Sequence, residues 1–543
     1  MLAAETPAGQ VYAAVEPSMK GDITVYTTIA DNKIVGLDVI DDVDSTVIRD
    51  AAIDGITTTV VKHQSVAVDA VAGATVTSAA ILSGVRDAIE AAGLDTSSFE
   101  KAPTVERKKE KPREEFDLVV VGSGMAGLSA AIEAAHNGAS VLVLEKLAYT
   151  GGSTRACGGG IWAMGSRANE IGGQDCSLED YASFMTDWSA PTELNQDLLA
   201  AIHDASGPTF DYLIEWGLPV AQAKWSLGNK ASQIPCFSAT AGIGSEWETG
   251  ESGIADYMEA RAKLEGAEIR LNSKVAGLVS EDGAVKGVQV EDLDSTYEVF
   301  AGSVILASGG FTRSAELIER YAPDYSDAFA FTGAGSTGDG IMMAEPLGAQ
   351  IVGIGMMGLS GINPNLGYYY RFGSLVNACQ MTVNAEGVTF MDGAFYGNTL
   401  KLLLDQTNSC GYGICDGAND SFDRLEDATA AGLVRKYDTL EELASGEGIN
   451  AEALSATAKE KGVSQPPFYC VVRKPLFIGS IPGLKVGASC EVLDESDKPV
   501  AGLYAAGEIM FGNVFSNSYP CSGTGVGTSC YTGAIAAKAA LGL

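Results

Sequence analysis

The sequence predicts an α/β protein: a Rossmann-like nucleotide-binding domain preceded by a small α+β unit. Three observations carry this. Residues 116–146 read as strand, glycine turn, helix and strand, a βαβ unit. Residues 1–100 hold strands and a helix of their own. A charged stretch with two prolines separates the two regions. The chain has 543 residues, 46% of them hydrophobic and 65 of them glycine, which suits several compact, turn-rich domains.

In the first unit, "GDITVYTTIADNKIVGLDVIDD" reads as two strands around the turn Asp31–Asn32–Lys33. "SAAILSGVRDAIEAAGL" has apolar residues at helical spacing and Gly93 as its stop, so it reads as a helix. "EKAPTVERKKEKPREE" has no apolar period and reads as a solvated tether. From Phe116, "FDLVVVGSG" is a buried strand, "MAGLSAAIEAAHNG" a helix closed by Gly138, and "SVLVLEK" a second strand. "EIRLNSKVAGLVSEDGAVKGVQVED" reads as a strand series and "GSVILASGGF" as another buried strand.

Composition excludes several functions. Seventy acidic residues against 35 basic ones give a net charge of −35. Nucleic acid needs a basic surface, so it is not an expected partner. No apolar run is long enough to span a bilayer. The start "MLAAETPAGQ" lacks the basic and apolar regions of a signal peptide. None of the ten cysteines forms CxxC, and only His63, His136 and His203 are available, so no metal site is expected. Cys410 and Cys415 are close enough in sequence to pair, but buried free thiols are the expectation.

The strongest motif is Gly122-x-Gly124-x-x-Gly127, placed between strand and helix and followed by Glu145 at the end of the next strand. Gly122 permits the tight turn, Gly124 lets backbone approach a pyrophosphate, and Gly127 packs helix on strand. The helix N-terminus offers N–H groups to phosphate, and Glu145 can accept from ribose hydroxyls.

Further motifs follow in order: "GGSTRACGGGIW" at 151–162, "LASGGF", "STGDG" at 336–340 and "GLYAAGE" ending at Glu508. This ordered set resembles the fumarate reductase/succinate dehydrogenase flavoproteins over residues 114–543. The resemblance implies FAD, bound without a covalent bond, in a domain interrupted by an α+β capping domain, with the active site between them. It implies that Gly152, Ser153, Thr154, Gly159, Val275, Ser308, Gly309, Asp339, Glu508, Gly525 and Val526 line FAD. Met125, Ala126 and Lys146 would join them beside the glycines and Glu145.

In the small unit, "DAVAGATVTSAAI" at 69–81 resembles the flavinylation motif of FMN-binding domains. That family joins FMN through a phosphoester to the final hydroxyl, here Thr77. Gly73, Ala74 and Thr75 would lie against the phosphate; Ala72 departs from the family's Ser or Thr. Such domains sit outside the cytoplasm, which implies a removed signal peptide. The implied organisation is an FMN-binding domain at 1–100, a linker at 101–115, an FAD-binding domain at 116–358 and 471–543, and a capping domain at 359–470.

The substrate end departs from the fumarate pattern. Reductases of unsaturated dicarboxylates clamp carboxylates with Arg and His and deliver the proton from an Arg. In "VNAEGVTFMDGAFYGN", 383–398, Asp392–Gly393 stand for Asn–Glu, and Tyr396 or Gly397 stands at the arginine. Lys485 and Val486 replace paired histidines, and Tyr519 replaces the late carboxylate-binding arginine. Instead, Tyr519-Pro-Cys-Ser-Gly-Thr-Gly-Val-Gly527 and the early "GGGIW" resemble 3-ketosteroid dehydrogenases. This resemblance implies that the Tyr519 hydroxyl and Gly523 N–H hold a ketone oxygen, an oxyanion hole for a developing enolate. "NLGYYYRFG" at 365–373 can line an apolar ring pocket or form an ordinary edge strand, and its Arg371 can bind an acid group.

Together these resemblances imply an extracytoplasmic ene-reductase of anaerobic respiration. Electrons from an external donor, quinol-linked at the membrane or a redox protein, would pass from FMN to FAD. Hydride would go from FAD N5 to an unsaturated carbonyl, with Tyr396 as proton source. The alternatives are an unsaturated-carboxylate reductase (fumarate-, urocanate- or cinnamate-like), a ketosteroid dehydrogenase, and a flavin electron carrier.

Overall fold

The computed structural model describes residues 1–543 apart from 19–20, 42–43, 45, 103–108, 169–175, 188–193, 219, 223–235, 240–252, 363–374, 393–398, 420–424, 431, 516, 518 and 521. Tyr396 and Arg371 lie outside the described residues.

The N-terminal unit is a four-stranded antiparallel sheet, Leu2–Thr6, Gly9–Pro17, Asp22–Ala30 and Lys33–Ile40, paired in sequence order. Its hairpin turns where expected: Asp31 and Asn32 both have positive φ, 49° and 59°. That conformation matches the twist of a two-residue turn. Strand alternation sends Ile23, Val25 and Thr27 inward. The helices Thr46–His63 and Thr75–Ala91 cover the sheet. The sequence reading did not identify the first two strands or the Thr46–His63 helix. That helix carries many β-branched residues, which weaken a local helical signal. Ala52, Ile56 and Val60, four apart, are buried in the unit's core, so tertiary packing supplies what propensity does not.

The second domain is built on a nine-stranded sheet. Its parallel centre runs Glu268–Arg270, Val141–Leu144, Glu114–Val121, Ser295–Leu306 and Pro499–Ala505. Lys274–Glu281 and Ala284–Glu291 extend it as antiparallel strands. Leu118 to Val121 are all buried, the pattern of a strand covered on both faces. The Met125–His136 helix packs on the final Thr524–Leu541 helix. Small residues allow the approach: a Cβ on Gly533 would meet the Ala126 carbonyl at 2.3 Å. The Ser129 hydroxyl donates to the Cys530 carbonyl at 2.6 Å.

A six-stranded sheet forms the third unit, with helices and smaller cores of its own. It draws on residues 329–330, 356–361, 381–383, 411–416, 434–437 and 468–480. Its long strand Phe468–Ser480 joins two regions: Cys470 lies in this unit's core and Phe477 in the core of the nucleotide-binding domain.

Candidate functional site

Two adjoining clefts meet at the C-terminal ends of the parallel strands, the usual ligand position in such sheets. The first is open to solvent and spans about 830 Å³. It is lined by Gly122, Gly124, Met125, Ala126, Glu145, Lys146, Gly152, Ser153, Thr154, Val275, Ser308, Gly309, Asp339 and Glu508, so the structure gathers these expected FAD residues. Gly127 lies in the first turn of the helix; a Cβ there would sit 1.9 Å from the Gly122 carbonyl oxygen, which explains the glycine. Gly124 faces open space, its nearest such contact being 3.9 Å. Gly159 lines neither cleft, though its neighbours Gly158 and Gly160 line the second.

Polar groups in the first cleft are held in place. Glu145 accepts from the Ser123 backbone N–H at 3.0 Å and its hydroxyl at 2.6 Å. Thr154 Oγ1 accepts from the Met125 N–H at 3.0 Å. Lys146 Nζ lies 2.8 Å from Asp339 Oδ2. Burial pushes the Asp339 carboxyl up, but Lys146 and Thr337 outweigh it and hold it below its ordinary value. Ser308 Oγ is buried without a hydrogen-bond partner among the described residues. An orphaned hydroxyl beside a glycine cradle and a helix N-terminus fits a polar, phosphate-bearing ligand such as FAD. Glu508 Oε1 accepts from the Ser480 backbone N–H at 2.7 Å and hydroxyl at 3.1 Å. Burial pushes the Glu508 carboxyl up to about 7, the Ser480 hydrogen bonds opposing it. Ser529, Ser273 and Gly333 also line this cleft and escaped the sequence reading; only proximity to the motifs signals them.

The second cleft, also open to solvent, spans about 1120 Å³ and shares Met125, Ser153, Thr154, Glu508 and Ser529 with the first. Its walls include Phe331, Met357, Leu359, Ile478, Phe511 and Val526, together with Tyr519, Gly523 and Gly525. No lysine, arginine or histidine is among its described lining residues. Tyr519 is buried and meets Phe515 edge-on, with ring centroids 6.3 Å apart. Gly523, at φ 93°, caps the N-terminus of the final helix. Trp162 Nε1 donates to the Ser522 carbonyl at 3.0 Å, so the "GGGIW" and "YPCSG" stretches are joined. Lys485 instead pairs with Asp497, and Val486 is buried. Asp392 pairs with Lys461 at 2.5 Å.

In the N-terminal unit, Thr77 is buried at the start of the Thr75–Ala91 helix. Its Oγ1 donates to Asp44 Oδ2 at 2.7 Å, and the Ser18 hydroxyl donates to the same oxygen. Gly73, at φ 87°, precedes buried Ala74, and Thr75 opens the helix. The FMN expectations therefore fall together on one loop and helix start.

The chain is 28% identical over 537 residues to the urocanate reductase of Eggerthella lenta, covering 92% of this chain and 87% of that one. It is 26% identical over 480 residues to the vinyl phenol reductase of Lactiplantibacillus plantarum, covering 77% and 94%. Its fold resembles the open conformation of a flavocytochrome c3 fumarate reductase (TM-score 0.65, 23% identity, 82% and 83% covered). It also resembles 3-ketosteroid-Δ4-(5α)-dehydrogenase from Rhodococcus jostii RHA1 (TM-score 0.63, 24% identity, 79% and 97% covered). The FMN-binding domain family matches residues 19–90. With the FAD binding domain family matching residues 117–526, across both clefts and the sheet beneath them, the chain belongs to that family of flavoproteins.

Proposed function

We propose that the protein is an ene-reductase for a neutral, ring-bearing α,β-unsaturated carbonyl. The observation that carries this reading is the second cleft: apolar walls, Tyr519 and Gly523 at a helix N-terminus, and no cationic side chain among its described lining residues. Among the described lining residues a carboxylate would meet no charge partner, whereas a carbonyl oxygen would meet two donors. When bound and reduced by the external donor, FAD would supply the hydride. The chain supplies the rest: Tyr519 O–H and the Gly523 N–H polarise the carbonyl, and the aromatic and aliphatic walls exclude water. We assign protonation of the α-carbon to Tyr396, from its place in the 383–398 stretch. A tyrosine is a weak acid, but in a positioned hydrogen bond it can serve a basic enolate.

The reading extends to covalent FMN on Thr77, reduced by an external electron donor, quinol-linked or protein, and to work outside the cytoplasm in anaerobic respiration. A second reading, reduction of an unsaturated carboxylate held by Arg371, draws on the 28% identity to a urocanate reductase. Anaerobic reoxidation of the dithionite-reduced protein decides. Reoxidation by enones but not by urocanate, acrylate or fumarate supports the carbonyl reading. Reoxidation by the acids alone overturns it.

A further inference from the structure

The segment that leads into the FAD cleft packs on the FMN motif at Tyr149. Tyr149 Oη lies 3.5 Å from the Gly73 carbonyl oxygen. A Cβ on Gly73 would fall 2.2 Å from that hydroxyl and 2.8 Å from the ring carbons Cε1 and Cζ. The tyrosine therefore packs flush on the glycine of the AGAT stretch, where any Cβ would displace it. Tyr149 is buried, and burial, with Glu145 adding to it, raises its phenol so that it stays a donor. It is not a lining residue of the FAD cleft, but its chain neighbours are. Glu145 lies four residues before it, and Gly152, Ser153 and Thr154 follow within five. Gly151 N–H, two residues on, donates to the Ser123 carbonyl at 2.9 Å, which ties this segment to the phosphate turn.

We propose that Tyr149 is a positioning residue that seats the FMN-bearing loop against the FAD site and so sets the rate at which electrons pass between the two flavins. This rests on the reading of Thr77-linked FMN as the electron entry. In that relay the two electrons and two protons lost by reduced FMN are gained by FAD, and the external donor is the reductant. Passage between bound groups depends on placement: an error of about 1 Å can cost on the order of 100-fold in a positioned reaction.

The test uses the full chain, wild type and Tyr149→Ala, each made with and without the FMN-attaching enzyme. Hydrogen exchange of peptide 69–81 in FMN-free protein reads the seat; about tenfold faster exchange is expected in Tyr149→Ala. Reduced-viologen-driven turnover, with and without FMN, reads the relay. FMN should accelerate wild type, and the gain should fall about tenfold or more in the variant, with FAD content unchanged. Unchanged exchange overturns the seat. Faster exchange with an undiminished FMN gain overturns the role in electron passage. No FMN gain in wild type overturns the relay itself, and with it this role. Should Tyr149→Ala misfold, Tyr149→Leu decides: it keeps the core apolar and removes the ring that packs on Gly73, and an undiminished gain there overturns the proposal.

Discussion

Glu508 Oε1 sits 2.7 Å from the backbone nitrogen of Ser480, so the last residue of the capping sheet's long strand is hydrogen-bonded to a carboxyl in the FAD cleft. That carboxyl is raised from 4.5 to about 7, chiefly by burial. The folded, FAD-free chain therefore holds a proton that the unfolded chain loses near pH 4.5. Between those values the folded state binds more protons, so stability falls as pH rises through the window and stays lower above it. The contribution is no more than about 3 kcal/mol. In FAD-free protein, Glu508→Gln should raise Tm at pH 8, leave it nearly unchanged at pH 4.5, and flatten the profile between. A wild-type Tm that rises from pH 5 to 8 at this site's expense, with no flattening in the variant, contradicts the assignment.

Gly124 and Gly127 separate binding from folding. A Cβ on Gly127 would overlap a backbone carbonyl at 1.9 Å, while one on Gly124 has 3.9 Å of clearance. Gly127→Ala should destabilise FAD-free protein by roughly 1–3 kcal/mol or prevent folding. Gly124→Ala should leave its Tm close to wild type and weaken FAD binding, because the methyl enters the phosphate cradle. Thermal melts and FAD titration check both, and equal effects from the two substitutions count against the placement. Acid precipitation of wild type should release free FAD.

Thr77 is expected to carry FMN when the attaching enzyme is co-expressed, and peptide mass spectrometry should find the adduct there. Thr77→Val should abolish it. In FMN-free protein the same substitution removes the 2.7 Å hydrogen bond to buried Asp44 and should cost about 1–3 kcal/mol. A modified Thr75 with an unmodified Thr77 would relocate the site.

Tyr519→Phe tests the substrate class. With an enone, losing one of two donors should lower kcat by about 100–1000-fold, while dithionite still reduces FAD. Tyr396→Phe should cost roughly 100–10,000-fold, and Arg371→Ala little. With an unsaturated acid the order reverses, and Arg371→Ala should weaken binding sharply.

Some parts are legible in the sequence because their physics is local. Strand, glycine turn and helix at 116–136 follow from steric need at Gly122 and Gly127, and Glu145 from the end of the next strand. The Asp31–Asn32 hairpin follows from residues that tolerate positive φ. Other parts depend on distant partners. The Thr46–His63 helix exists because Ile56 and Val60 find a sheet to cover, a signal its β-branched residues obscure. Ser529 and Ser273, far apart in sequence, line one cleft because the final helix packs on the Met125–His136 helix and the sheet brings residue 273 beside the phosphate turn. The contact of Gly73 with Tyr149 has no sequence signature at all. It joins residues 76 apart whose neighbours each read as belonging to a separate domain, and only the packing of one domain on the other creates it.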